Sequence, residues 1–244
     1  MILAKRAMER AGIASFDDLG AYYLGATTPD IRVLTRWERE RTHFFDLHCV
    51  EPQSSVDRLF EVHPELARPE QLSPSTVAFV AGYLSHLSMD EQYIQDVYRP
   101  HFGVDSTLID RARANLMDRV LQYELDLRQR ADPTLVHHLQ QELRASQLDI
   151  RVAFLDKETL ERWREVSAEV AGQPVTWERF RHIAARHLRA AGIESDEELE
   201  AFIRDLPRLL DETISHVQAE RIDEFLERSI DVTARAIARY LDCG

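Results

Sequence analysis

The chain has 244 residues, 44% of them hydrophobic, with only 8 glycines and 9 prolines, so it carries enough apolar material to bury one compact domain. Its 43 acidic residues against 30 basic ones leave a formal net charge of -13, which repels polyphosphate backbones and anionic membrane surfaces and disfavours nucleic acid as a routine partner. Two cysteines, Cys49 and Cys243, form no C-x-x-C pair, which argues against a disulfide framework or thiolate zinc site and for a reducing interior.

The first residues carry charges every few positions, and nowhere do eighteen uncharged apolar residues follow one another, so no secretory leader or spanning helix is predicted. With Met1 as the start, a soluble cytoplasmic protein is expected. Almost every segment has helical period and none shows sustained two-residue alternation, so the fold class is all-α. A first helix is predicted over Leu3 to Ala11, stopping at Gly12. Ser15, Asp17 and Asp18 then start a second, which runs toward Tyr23 and stops before Pro29. Val50 to Ser75, with its prolines, is predicted as a long loop holding one short helix over Val56 to Val62. Ser73 and Pro74 open a central apolar helix through Val77 to Tyr98. Bundle helices are predicted over Ser106 to Arg130, Pro133 to Gln147, Lys157 to Val170, Thr176 to Ala191, Asp196 to Gln218 and Arg221 to Leu241.

The whole is expected to form a single helical domain, residues 1-244, with its metal-site half at about 1-103 and additional helices at about 105-244. Ala191 to Ile203 repeats the grammar of Ala11 to Tyr23. A duplication at that offset would map Asp30 and His43 onto Leu210 and Asp223, however, so the likeness is confined to stop and cap signals, among them a capping box at Ser195 and Glu198.

The central helix places His86 and Asp90 four residues apart, hence on one face, inside an apolar run. Burial of both is costly unless a partner offsets it; a divalent metal suits both groups, and a plain hydrogen bond between them is the structural alternative. Asp30 follows Gly25, Thr27, Thr28 and Pro29 in a rigid turn, where an ordinary turn aspartate is the competing reading. His43 precedes Phe44 and Phe45, whose burial anchors its backbone. Two histidines and two carboxylates suit zinc, and also manganese or iron, with room left for a water, which points to hydrolysis.

The segments GATTPDI, RTHFFD and AFVAGYLSHLSMDE resemble the zinc-dependent phospholipase C family, whose fold is shared with S1/P1-type nucleases, over roughly Ile2 to Gly103. The resemblance implies a multi-helix phospholipase C/P1 nuclease-like bundle in which Asp30, His43, His86 and Asp90 bind one zinc ion. It further implies that Asp30 doubles as general base and that the substrate is a small-molecule or lipid-headgroup phosphoester. Two departures stand out. The family's histidine at the start of its first helix would fall upstream of Met1, and Asp96 occupies the place of a histidine that serves a second zinc. His101, and His138 with Glu142, are substitutes for that second site, although the last pair reads as a solvated helix face.

Other side chains carry weaker signals. His182 and His187 are five apart and face different ways, and His48 and His63 flank the loop as candidates for a pocket mouth. Trp37, Trp163 and Trp177 read as core or interface anchors, Asp46 and Glu91 as acceptors that would fix a histidine tautomer, and Arg32 and Arg41 as cations that would offset developing charge. The competing function is a non-catalytic helical protein that retains a partial metal site for a structural or binding role. The helices after Asp105 are also a candidate homodimer surface.

Overall fold

The computed structural model describes residues 1–47, 49, 51–174, 176, 177, 179, 180 and 184–242. His48, His182 and Cys243 lie outside the described residues. The rest is helical, with turns and one isolated bridge between Val152 and Leu155, so the chain is all-α.

In order along the chain come α1 (Ile2–Arg10), α2 (Leu19–Gly25), a 3-10 turn (Thr28–Ile31), α3 (Arg32–Thr35), α4 (Glu40–His43) and α5 (Ser55–Val62). Two further 3-10 turns (Pro64–Ala67 and Pro69–Gln71) lead to α6 (Pro74–Tyr93), which widens into π-helical turns over Ile94–Phe102. Then follow α7 (Arg111–Gln129), α8 (Pro133–Ala145), α9 (Lys157–Gly172), α10 (Ala185–Ala190), α11 (Asp196–Val217) and α12 (Ala219–Asp242). The second helix begins later than its acidic run suggests, because Asp18 serves as its N-cap and accepts from the Ala21 amide at 2.9 Å. The central helix gives up α geometry at Ile94, five residues earlier than expected. Pro100 lies within the widened stretch, where it can neither donate an amide hydrogen bond nor fit against the preceding turn. The helix predicted over Thr176 to Ala191 falls partly on residues outside those described; Trp177, Arg179 and Phe180 are helical, and α10 is its later part.

The chain packs into two compact units. The first comprises residues 1–92, 133–173 and 227–244, and the second residues 93–132 and 174–226. The division therefore differs from the halves expected on either side of residue 103, since α8, α9 and the end of α12 pack with the N-terminal helices. Apolar stripes on distant helices choose their partners by packing, which no local signal encodes.

In the first unit α6 is the buried axis: residues 78 to 85 are all buried, as an apolar helix without a polar face requires. Around it Tyr22, Tyr23, Phe79 and Tyr83 are fully buried aromatics, each worth about 2–3 kcal/mol of apolar burial. A Cβ at Gly82 would stand 1.9 Å from the Tyr22 carbonyl oxygen, and one at Gly25 would stand 2.0 Å from that of Phe79. α2 and α6 thus touch backbone to backbone, which only glycine permits at those two points. Asp18 ties the unit further: its buried carboxylate also accepts from the Ser75 hydroxyl at 2.9 Å and the Gln147 amide at 3.2 Å.

The second unit has its own core, built on Val97, Phe102, Met117, Val120, Phe180 and Leu209. There the Tyr93 hydroxyl donates at 2.7 Å to the carboxylate of Asp118, which is buried on α7 and also receives the Gln122 amide.

Candidate metal centre

Three separate elements of the first unit deliver one side chain each to a single point. The 3-10 turn carries Asp30, α4 carries His43, and α6 carries His86. One ligand atom of each lies within 4.8 Å of the other two, the only such group found among the described residues. His43 Nε2 is 3.6 Å from Asp30 Oδ1, and His86 Nε2 is 4.0 Å from Asp30 Oδ2. Metal bonds of about 2.1 Å set tetrahedral ligand atoms roughly 3.4 Å apart, so separations within 4.8 Å close on a cation with shifts of about 1 Å or less per side chain. The residues present therefore fit such an ion, and the group could hold one.

Local structure explains the convergence. The close approach of α2 to α6 brings Ala26, the residue that ends α2, over the turn of α6 bearing His86, whose Nδ1–H donates to the Ala26 carbonyl at 3.0 Å. α4 is a single turn that ends at Phe44 in the left-handed region (φ 53°), a conformation costly for a bulky residue. That reversal sends Phe44 and Phe45 into buried positions while His43 faces the turn with Asp30. The buried Tyr83 hydroxyl holds α4 to α6 by donating to the Thr42 carbonyl at 2.5 Å. Burial, and the nearby Asp30 charge, push the Tyr83 phenol well above its ordinary pKa, so it stays a donor.

Hydrogen bonds also orient the rings. A carbonyl can only accept, so His86 carries a proton on Nδ1 and directs Nε2 toward Asp30. The Thr42 hydroxyl lies 3.0 Å from His43 Nδ1 and 3.3 Å from the Arg39 carbonyl, and so holds the His43 ring from behind. His43 Nε2 faces the carboxylate.

Exposure is uneven in a way that bears on chemistry. His43 is 1% exposed and His86 16%, whereas 58% of the Asp30 side-chain surface is open. The imidazoles are thus fixed in the protein while the carboxylate faces solvent. Burial lowers the His43 pKa below the ordinary histidine value, and the Asp30 contact only partly reverses this. For Asp30, surrounding protein raises the pKa, but His86, His43 and Arg39 together outweigh it and hold the carboxyl well below its usual range.

Asp90, expected as the fourth ligand, is not in this group. It shares a helix face with His86, one turn on, but its carboxylate is ion-paired with the Arg39 guanidinium. Arg39 was not singled out by sequence reasoning, although RWERERTH places it four residues before His43, on the same side of α4. Of the two arginines that were, Arg32 is exposed, and Arg41 lies with its guanidinium carbon 3.7 Å from the centroid of the Trp37 ring. Glu91 accepts from the amide and hydroxyl of Ser55, and the Asp46 backbone pairs with the Gln53 side chain. The groups that orient the imidazoles are a carbonyl and a hydroxyl, which sequence spacing does not reveal.

The remaining candidates go elsewhere. His138 and Glu142 pair at 3.7 Å on a partly exposed face of α8. His101 belongs to the second unit, where its carbonyl accepts from His216 Nε2 at 2.9 Å. Trp163 is buried and donates to the Thr27 hydroxyl at 3.2 Å, while Trp177 packs on Tyr123 and Phe180. His63 lines a cleft of about 900 Å³ with Phe44, Phe45, Phe154, Asp57 and Glu61, a cleft whose walls do not include the triad. No helix among the described residues is long and apolar enough to cross a membrane. No known protein family, curated protein or solved structure matches the chain.

Proposed function

We propose that Asp30, His43 and His86 hold one divalent cation, zinc by the chemistry of the donor set, and that the protein hydrolyses a small phosphoester there. The observation that carries this reading is the convergence of two imidazole Nε2 atoms on a carboxylate, each ring oriented from behind. Two imidazoles and one carboxylate occupy three positions and leave at least one open, the arrangement of catalytic rather than structural zinc. A cation held there polarises a phosphoryl oxygen and makes water acidic enough to attack at neutral pH.

The protein's own groups supply the rest. His43 and His86, locked by Thr42 and Ala26, keep the site from collapsing around the ion. Asp30, open to solvent, is the group that would accept a proton from an attacking water. The substrate class rests on the resemblance of three segments to zinc-dependent phospholipase C, which implies that Asp30 serves as base. The open carboxylate favours this reading over a sealed structural ion.

Elemental analysis of the purified protein tests the metal, and release of nitrophenol from bis(p-nitrophenyl) phosphate with and without chelator tests the reaction. About one equivalent of zinc is expected, lost in His86→Ala, with Asp30→Asn cutting turnover by about 100-fold or more. Metal-free protein at saturating zinc, or turnover indifferent to chelator, would overturn it.

A further inference from the structure

Beside the triad sits a cation whose hydrogen-bonding capacity is largely unspent. The Arg39 side chain is 15% exposed, and one terminal nitrogen, Nη2, is committed to Asp90. Its Nε is buried and has no hydrogen-bond partner among the described residues. A guanidinium offers five N–H donors in a rigid planar fork whose geometry matches two oxygens of one oxyanion. A buried donor left unpaired is costly to keep, so it marks a place where a ligand completes the hydrogen bonding. The site also has the right charge: with a divalent cation held, Asp30, Asp90 and Arg39 leave one positive charge in excess, in a chain whose own formal net charge is -13.

We propose that Arg39 is a substrate-binding residue that grips a phosphoryl oxyanion beside the metal centre, with Asp90 as the internal counter-ion that aims the guanidinium. This deepens the hydrolase reading and rests on it for the identity of the ligand, but Arg39 itself is assigned by its own contacts. In this arrangement Asp90 orients rather than ligates, which accounts for its position outside the triad.

Calorimetric titration with inorganic phosphate and with dimethyl phosphate, on zinc-loaded and on chelator-treated protein, tests the assignment. Zinc content is measured separately in each variant. Arg39→Gln is expected to weaken both anions by about tenfold or more while zinc content stays as in the wild type. Arg39→Lys keeps the charge but loses the fork, so a smaller loss of several-fold is expected; it also serves if the glutamine variant does not fold. Asp90→Asn keeps an oxygen that accepts from the guanidinium and so still aims it, but removes the competing charge, and should bind phosphate at least as tightly as wild type. A merely structural Arg39 would lower the melting temperature and leave anion affinity unchanged in the folded variants. That result, or a wild-type protein that ignores both anions up to about 10 mM in either metal state, would overturn the proposal. Arg39-dependent phosphate binding by a protein that takes up no zinc would support the assignment and refute the metal-dependent hydrolase.

Discussion

Gly82→Ala exposes the packing on which the site depends, because two opposing effects fix the sign of the result. In the interior of a helix alanine is favoured over glycine by about 1 kcal/mol, so a Gly82 with room around it would be stabilised by the change. It has no room: the new Cβ would lie 1.9 Å from the Tyr22 carbonyl oxygen, where ordinary contact begins near 3.4 Å. The obstacle is backbone, which cannot rotate aside, so α2 and α6 must part by on the order of 1 Å. Overpacking of this kind costs about 1–3 kcal/mol or more, and it outweighs the propensity gain. The same displacement draws Ala26 away from His86. The 3.0 Å hydrogen bond that fixes the Nδ1–H tautomer then stretches toward 4 Å, and loss of such an orienting bond lowers metal affinity by about 10–100-fold. Urea unfolding in chelator reads the first effect without interference from metal, and competition with a chromophoric chelator reads the second. A variant more stable than wild type with unaltered zinc affinity would refute the reasoning at its root.

Two further outcomes follow from the same geometry. Asp18→Ala removes the cap of α2 and leaves the Ala21 and Gln147 amides and the Ser75 hydroxyl short of an acceptor, so it should cost about 2–4 kcal/mol in denaturant unfolding; a loss under about 0.5 kcal/mol would show the carboxylate to be dispensable. Burial holds His43 below its ordinary pKa, so below about pH 6.5 the unfolded chain binds a proton that the folded one refuses. In chelator, stability should therefore be full above that pH and decline as pH falls from 6.5 toward 5. His43→Asn should flatten that part of the profile, and an unchanged slope would remove His43 as its cause.

Much of the secondary structure was legible because its signals act within a turn. Gly12 and Gly192 both take positive φ at helix stops, the capping box at Ser195 and Glu198 forms, and α6 opens at Pro74 with Ser73 capping its first turn. The period of His86 and Asp90 placed them on one face of one helix, and aromatic neighbours anchored His43. Those facts depend on residues within about four positions of one another, where backbone geometry alone sets direction.

What the amino-acid order determined by itself was therefore the all-α class, the helix boundaries set by local caps, and a short roster of side chains able to bind metal. Only the tertiary structure decided which of them meet. Asp30, His43 and His86 converge because Gly25 and Gly82 let two backbones touch and because Phe44 reverses the chain, whereas Asp90 was claimed by Arg39. The physical reason is one of range: helix signals travel one turn, but a site drawn from residues 30, 43 and 86 depends on how separate helices pack, and a shift of one ångström there rearranges who touches whom.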